Sequence, residues 1–173
     1  MLAIRHRLLL SIIFDQQIFK KLSRLTQGKR IRIVFEDIAM MTKPSILVVE
    51  DHIIEQKLLL LLAKKYGFEV QIVSTSEEAL TELESGKLFS LILMDWKLPG
   101  TDGLDCTKRI RELEQSRGYH TPIVAITGRA MEGDKKKCLV AGMDDYMSKP
   151  FTAEEFRQMV NRWVPDSTSG YSH

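Results

Sequence analysis

Three carboxylates, one hydroxyl and one ammonium group stand at the ends of short apolar runs, and their types narrow the chemistry. Glu50 and Asp51 follow the run at 46–49, Asp95 follows 91–94, Thr127 follows 123–126, and Lys149 follows Asp145–Ser148. If those runs are parallel strands of one sheet, all five groups gather on its carboxyl edge, where open α/β sheets carry their functional residues. Carboxylates converging there repel one another, and an unbalanced cluster keeps some of them protonated by raising their pKa. Something cationic must balance them. The strand ends offer oxygen ligands and no His or Cys, which favours a hard ion that keeps several waters, and Mg²⁺ is the usual one. Lys149 adds a point positive charge suited to phosphate, and Thr127 a hydroxyl that can donate to a phosphoryl oxygen. Together these groups suggest phosphoryl transfer to a carboxylate, a chemistry in which the protein mostly positions groups and neutralises charge.

The elements that must position them alternate strand and helix five times in about 120 residues, the rhythm of βαβ units closing a parallel sheet. Strands are expected at 46–49, Glu69–Val73, 91–94, 123–126 and Asp145–Ser148. The first, third and fourth are unbroken apolar runs, as strands covered on both faces require, so they are placed centrally. The second and fifth mix polar residues in and are placed at the edges. Helix 1 is read over 53–66, with Ile54, Leu58, Leu61 and Leu62 as its apolar stripe, Lys64 and Lys65 at its negative end, and Gly67 as its stop. Thr75 and Glu78 open helix 2, and Thr152 and Glu155 open helix 5, both with capping-box spacing. Helix 3 buries Cys106, Ile110 and Leu113, helix 4 ends at Gly142, and helix 5 buries Phe156, Met159, Val160 and Trp163.

Composition removes several classes of function. The chain has 173 residues, 44% hydrophobic and 28% charged, which suits one ordinary globular domain. Its two cysteines, Cys106 and Cys138, lie far apart with neither CxxC nor His spacing, so a zinc site or a secreted disulfide framework is not expected. They are read as core residues, and a reducing cytoplasm as the location. No stretch approaches the ~18 consecutive apolar residues of a membrane span. Residues 1–40 hold eight Lys or Arg against three acids, whereas residues 41–173 hold seventeen against twenty. A nucleic-acid-binding domain would concentrate basic charge on its folded part, so no direct nucleic-acid partner is expected. Lys135, Lys136 and Lys137 are read as a solvated helix face.

The segments ILVVEDH (46–52), LILMDWKLPGTDG (91–103), IVAITGRA (123–130) and GMDDYMSKPF (142–151), in that order, resemble the receiver domain of two-component response regulators across residues 44–164. The resemblance implies a flavodoxin-like, doubly wound (βα)5 fold whose parallel five-stranded sheet has the order 2-1-3-4-5. It implies that Asp95 is the phosphoacceptor and that Glu50, Asp51, Asp95 and the backbone carbonyl of Lys97 bind Mg²⁺. Thr127 and Lys149 would hold the phosphoryl group, Tyr146 would turn inward as Thr127 moves, and the Lys149–Pro150 bond would be cis. The donor would be a sensor histidine kinase or a histidine phosphotransfer protein. A downstream protein would read the surface of helix 4, strand 5 and helix 5, and the chain would catalyse only its own phosphorylation and slow autodephosphorylation. The stretch 130–147 most resembles receivers attached to or serving hybrid histidine kinases. With no kinase core, phosphotransfer bundle or DNA-binding domain, the chain resembles a stand-alone receiver, and whether two copies pair is left open.

Two rivals are weighed. A haloacid dehalogenase-type phosphatase needs a second Asp two residues after its nucleophile, and Lys97 occupies that place. A pseudo-receiver that binds partners without phosphorylation is disfavoured by the complete set of site residues. Lys97 and Arg129, two residues beyond Asp95 and Thr127, are expected to overhang the site and slow attack by water. Residues 1–43 are read as a basic extension that adds no domain, with a helix bearing Ile18, Phe19, Leu22 and Leu25 and a strand bearing Ile31, Ile33 and Phe35, and 165–173 as a flexible tail.

Overall fold

Short runs of Ile, Leu and Val that are apolar at every position must be covered on both faces, and the chain meets that demand by winding helices over a parallel sheet. The computed structural model describes residues 43–98, 100–128 and 132–164. The expectations for residues 1–40, the C-terminal tail and Arg129 lie outside the described residues. The elements are β1 (Ser45–Val49), α1 (Ile53–Lys65), β2 (Glu69–Val73), α2 (Ser76–Glu84), β3 (Leu91–Asp95), α3 (Gly103–Arg117), β4 (Ile123–Thr127), α4 (Glu132–Ala141), β5 (Asp145–Ser148) and α5 (Ala153–Trp163). All four strand pairs are parallel, in the order β2-β1-β3-β4-β5. This is the flavodoxin-like order, with the three most apolar strands in the middle.

Alternation along the strands divides the core in two. Leu47, Val49, Ile92, Met94, Ile123 and Ala125 pack with Leu80 and Leu83 of α2, Cys106 and Ile110 of α3, and Cys138 of α4. Ile46, Val48, Leu91, Leu93, Val124 and Ile126 face Leu59 and Ala63 of α1 and Phe156, Met159 and Val160 of α5. Both cysteines are buried free thiols whose pKa burial pushes up, to about 11 for Cys106. They are core residues.

The register sets the carboxyl edge level. Val49 lies beside Met94, Asp95 beside Ile126, and Thr127 beside Ser148. At the opposite edge, Arg111 of α3 binds the Gly142 and Thr121 carbonyls at 2.8 Å each, Asp144 at 2.6 Å, and buried Glu114. That fork ties α3 to the segments entering β4 and β5.

The helix starts read from the sequence are present. Thr152 accepts from the Glu155 N–H at 3.2 Å and Glu155 accepts from the Thr152 N–H at 2.7 Å, a full capping box for α5. Thr75 caps α2 in the same way, but the Glu78 carboxylate takes the N–H of Ser74 at 2.7 Å, one residue further back.

The expected stripe of α1 is corrected. Ile54, Leu58 and Leu61 are 69%, 46% and 68% exposed, Leu62 is partly buried, and the residues facing the sheet are Gln56, Leu59 and Ala63. Five consecutive leucines make every face of this helix apolar, so periodicity alone could not select one. Polar bonding selects it: the Gln56 amide donates to the Glu50 carbonyl at 2.6 Å and to Ser74 Oγ at 3.1 Å, which turns this polar residue inward.

Gly103, at the start of α3, lies hard against the strand that carries Asp95. A Cβ there would stand 2.3 Å from the Asp95 carbonyl oxygen and 3.1 Å from the Trp96 Cα. Gly103→Ala is expected to lower stability by about 1–3 kcal/mol in urea denaturation. Gly133→Ala, where an added Cβ meets nothing within 4 Å, is expected to be neutral or stabilising by up to about 1 kcal/mol. Equal losses in the two variants would contradict the role of that close approach.

Candidate functional site

Three strands, β1, β3 and β5, each deliver one group to a common point on the carboxyl edge. Glu50, directly after β1, is 1% exposed and has both oxygens occupied: one accepts from the His52 N–H at 3.0 Å, the other from the Lys149 ammonium at 2.7 Å. Asp95 ends β3, its Oδ1 accepting from the Lys97 N–H at 3.0 Å and its Oδ2 from Lys149 at 3.2 Å. Lys149 follows β5, and its backbone N–H donates to the Thr127 carbonyl at 2.7 Å. The Lys149–Pro150 bond is cis, as expected.

Not every residue singled out in the sequence joins this point. Thr127 is buried at the end of β4, next to the Lys149 backbone. Tyr146 is half-buried in β5 against the cluster that contains Cys138, and burial there pushes its phenol pKa up. Asp51 and the Lys97 side chain are exposed at the rim.

Sequence reasoning missed Glu55. It lies in the first turn of α1, and its carboxylate pairs with Lys149. Oxygens of Glu50, Glu55 and Asp95 lie within 4.8 Å of one another, a group that does not include Asp51. The missed signal was positional: a helix that follows a strand after three residues begins on the same edge, so acids in its first turn belong to the search as much as the strand end does.

Three carboxylates around one ammonium leave a surplus of negative charge. Burial pushes Glu50 up to about 7, against the opposing hydrogen bonds from Lys149 and the His52 N–H. Burial is also the largest single influence on Glu55 and acts in the same direction, but the bonds to Lys149 and Glu50 and the Lys149 charge together outweigh it and hold that carboxyl below the usual range. For Lys149 burial disfavours the charge, yet Glu50 and Glu55 together hold its pKa above the ordinary value. An all-oxygen donor set with excess negative charge fits a hard divalent cation such as Mg²⁺, which buried Glu50 and part-buried Asp95 could hold. Trp96, next to Asp95, lies under the Lys137 ammonium at 5.4 Å, so the loop after β3 touches α4.

This geometry agrees with comparisons to known proteins. The family model described as the response regulator receiver domain matches residues 46–161. The chain belongs to that family. It is 39% identical over 130 residues to a hybrid signal transduction histidine kinase of Dictyostelium discoideum, a match covering 73% of this chain but 8% of that protein. Among solved structures it is similar to the receiver domain of a sensor histidine kinase from Pseudomonas aeruginosa, described with a magnesium ion coordinated in its active-site cleft. That match has 35% identity and a TM-score of 0.65, and covers 72% of this chain and all of the other. A second is the receiver of a Saccharomyces cerevisiae response regulator solved with a histidine phosphotransfer protein, at 30% identity and TM-score 0.64, covering 70% of this chain and 88% of the other. Among the described residues no helix is long and apolar enough to cross a membrane.

The raised pKa of Glu50 has a thermodynamic signature. Without metal, the folded protein keeps this proton up to about pH 7 while the unfolded chain releases it near 4.5, so the folded state binds more protons in between. Stability contributed by this group therefore falls as pH rises through that window. In chelator, wild type is expected to lose about 2 kcal/mol relative to Glu50→Gln between about pH 5 and about pH 7 in urea denaturation. A difference that stays flat would show that Glu50 titrates normally.

Proposed function

We propose that this chain accepts a phosphoryl group on Asp95 from a phosphohistidine of a sensor histidine kinase or histidine phosphotransfer protein, with Mg²⁺ as cofactor, and later loses it to water. The observation that carries this reading is the environment of the Asp95 carboxylate. Its Oδ1 is held by the Lys97 N–H, and its Oδ2 faces the Lys149 ammonium beside a carboxylate cluster that calls for a cation. An Asp95 oxygen attacks phosphorus, the P–N bond breaks, and imidazole leaves as the neutral ring once protonated. Glu50, Asp51, Asp95 and the Lys97 carbonyl would hold Mg²⁺, which when bound would neutralise charge at the phosphoryl oxygens. Lys149 binds one of those oxygens and Thr127 another. Hydrolysis later returns phosphate and the free carboxylate, and the cationic side chains of Lys97 and Arg129 slow it.

The chain is on this reading a cytoplasmic signalling domain whose only catalysis is its own phosphorylation and dephosphorylation. Thr127 and Tyr146 carry the change to α4, β5 and α5, where Leu139 and Val140 of α4 are 46% and 78% exposed for a downstream protein. The donor has a different surface. Ile54, Leu58 and Leu61 form an exposed apolar face on α1, whose first turn is at the site. That face would take an apolar helix surface of the phosphotransfer partner; a yeast receiver similar to this chain has been solved together with such a protein.

Incubation with Mg²⁺ and a small acyl phosphate is expected to add one phosphoryl group to wild type and none to Asp95→Asn, read by intact mass, and the adduct should decay faster in Lys97→Asn and Arg129→Ala. No adduct on the folded wild type would reject phosphorylation and leave a binding module. Leu58→Asp with Leu61→Asp is expected to slow transfer from a phosphorylated phosphotransfer protein by about tenfold or more while leaving labelling by acyl phosphate unchanged. Equal slowing of both reactions would place the fault in the site and remove the docking assignment.

A further inference from the structure

The Lys149 ammonium has three N–H donors and three carboxylate partners, Glu50, Glu55 and Asp95. All its donors are committed. A phosphoryl group arriving on Asp95 brings oxygens that need one of them, so a resting partner has to yield. Asp95 stays because it carries the new group. Glu50 is 1% exposed, so leaving it without a cation is costly. The Glu55 side chain is 36% exposed and sits on the helix rather than a strand, so its carboxylate can turn to water when the ion pair breaks.

Resting on the proposed phosphoacceptor role of Asp95, we propose that Glu55 competes with the phosphoryl group for Lys149, and that this competition limits how fully the site commits to its phosphorylated state. Glu55 acts through Lys149 and is therefore a positioning residue. In the resting protein it keeps the ammonium near the cluster. In the phosphorylated protein its lost ion pair is a cost that the phosphoryl–Lys149 pair must exceed. The size of that cost follows from exposure, because partly exposed pairs are worth little more than surface ones.

The test measures binding of beryllofluoride, a phosphoryl mimic, at saturating Mg²⁺. Trp96 fluorescence reports it, in a Trp163→Phe background that leaves Trp96 as the sole tryptophan. Glu55→Gln, which keeps the shape and removes the charge, is expected to bind the mimic about two- to fivefold more tightly and to reach a higher steady-state phosphorylated fraction with acyl phosphate. Mg²⁺ affinity, measured separately, should fall little. A merely structural role for Glu55 would move the urea midpoint without this gain. Unchanged or weaker binding of the mimic by Glu55→Gln overturns the proposal, and a parallel loss of Mg²⁺ and mimic affinity would make Glu55 a metal-holding group instead. If wild type itself neither binds the mimic nor gains a phosphoryl group, the phosphoacceptor reading fails first, and that result differs from a normal wild type with an indifferent variant.

Discussion

The carboxyl edge of this sheet depends on a single ammonium group. Parallel strands in the order 2-1-3-4-5 make β1 and β3 neighbours, which puts Glu50 and Asp95 side by side, and α1 brings Glu55 down onto them. Nothing in that topology removes the repulsion. Lys149 does so from the far side of the sheet, its four-carbon stem crossing in front of β4 to reach residues 99, 94 and 54 positions away in the chain. The contact is therefore a noncovalent clip between the first and last strands as well as a neutralising charge. Because it balances only part of the negative charge, the edge stays receptive to a second cation.

The opposite edge solves a similar problem with a different residue. Arg111 spreads a planar fork over two carbonyls and two carboxylates, and Glu114 and Asp144 are in turn hydrogen-bonded to the backbone N–H groups of Thr121 and Ile123. Every partner is held in a fixed direction. A guanidinium suits such a rigid knot, whereas an ammonium on a flexible stem can change partners with little reorganisation. One edge of the sheet is thus chemically saturated and the other is held by a group that can move.

Much of this was readable in the sequence, for reasons that differ from residue to residue. The unbroken apolar runs of β1, β3 and β4 could only be buried strands, so their ends, and with them Glu50, Asp95 and Thr127, followed directly. Thr152 and Glu155 announced α5 because a capping box is a local bonding pattern that needs no tertiary context. The face of α1 was not readable, because the leucines at 58–62 satisfy every helical phase, and the deciding bonds of Gln56 run to residues brought close only by the fold. Glu55 was hidden for the same reason. Its role follows from the orientation of a helix whose orientation the sequence left ambiguous.

The close approach of Gly103 to Asp95 has a mechanical consequence. The Asp95 carbonyl is backed by the first residue of α3, with no room for even a methyl group between them, and α3 is in turn anchored about two turns further on by Arg111. The backbone that carries the Asp95 carboxylate therefore rests on an anvil. Behind that carbonyl there is no slack, whereas the neighbours in front and to the side are the Lys149 ammonium, the end of β4 and the Trp96–Lys137 contact with α4.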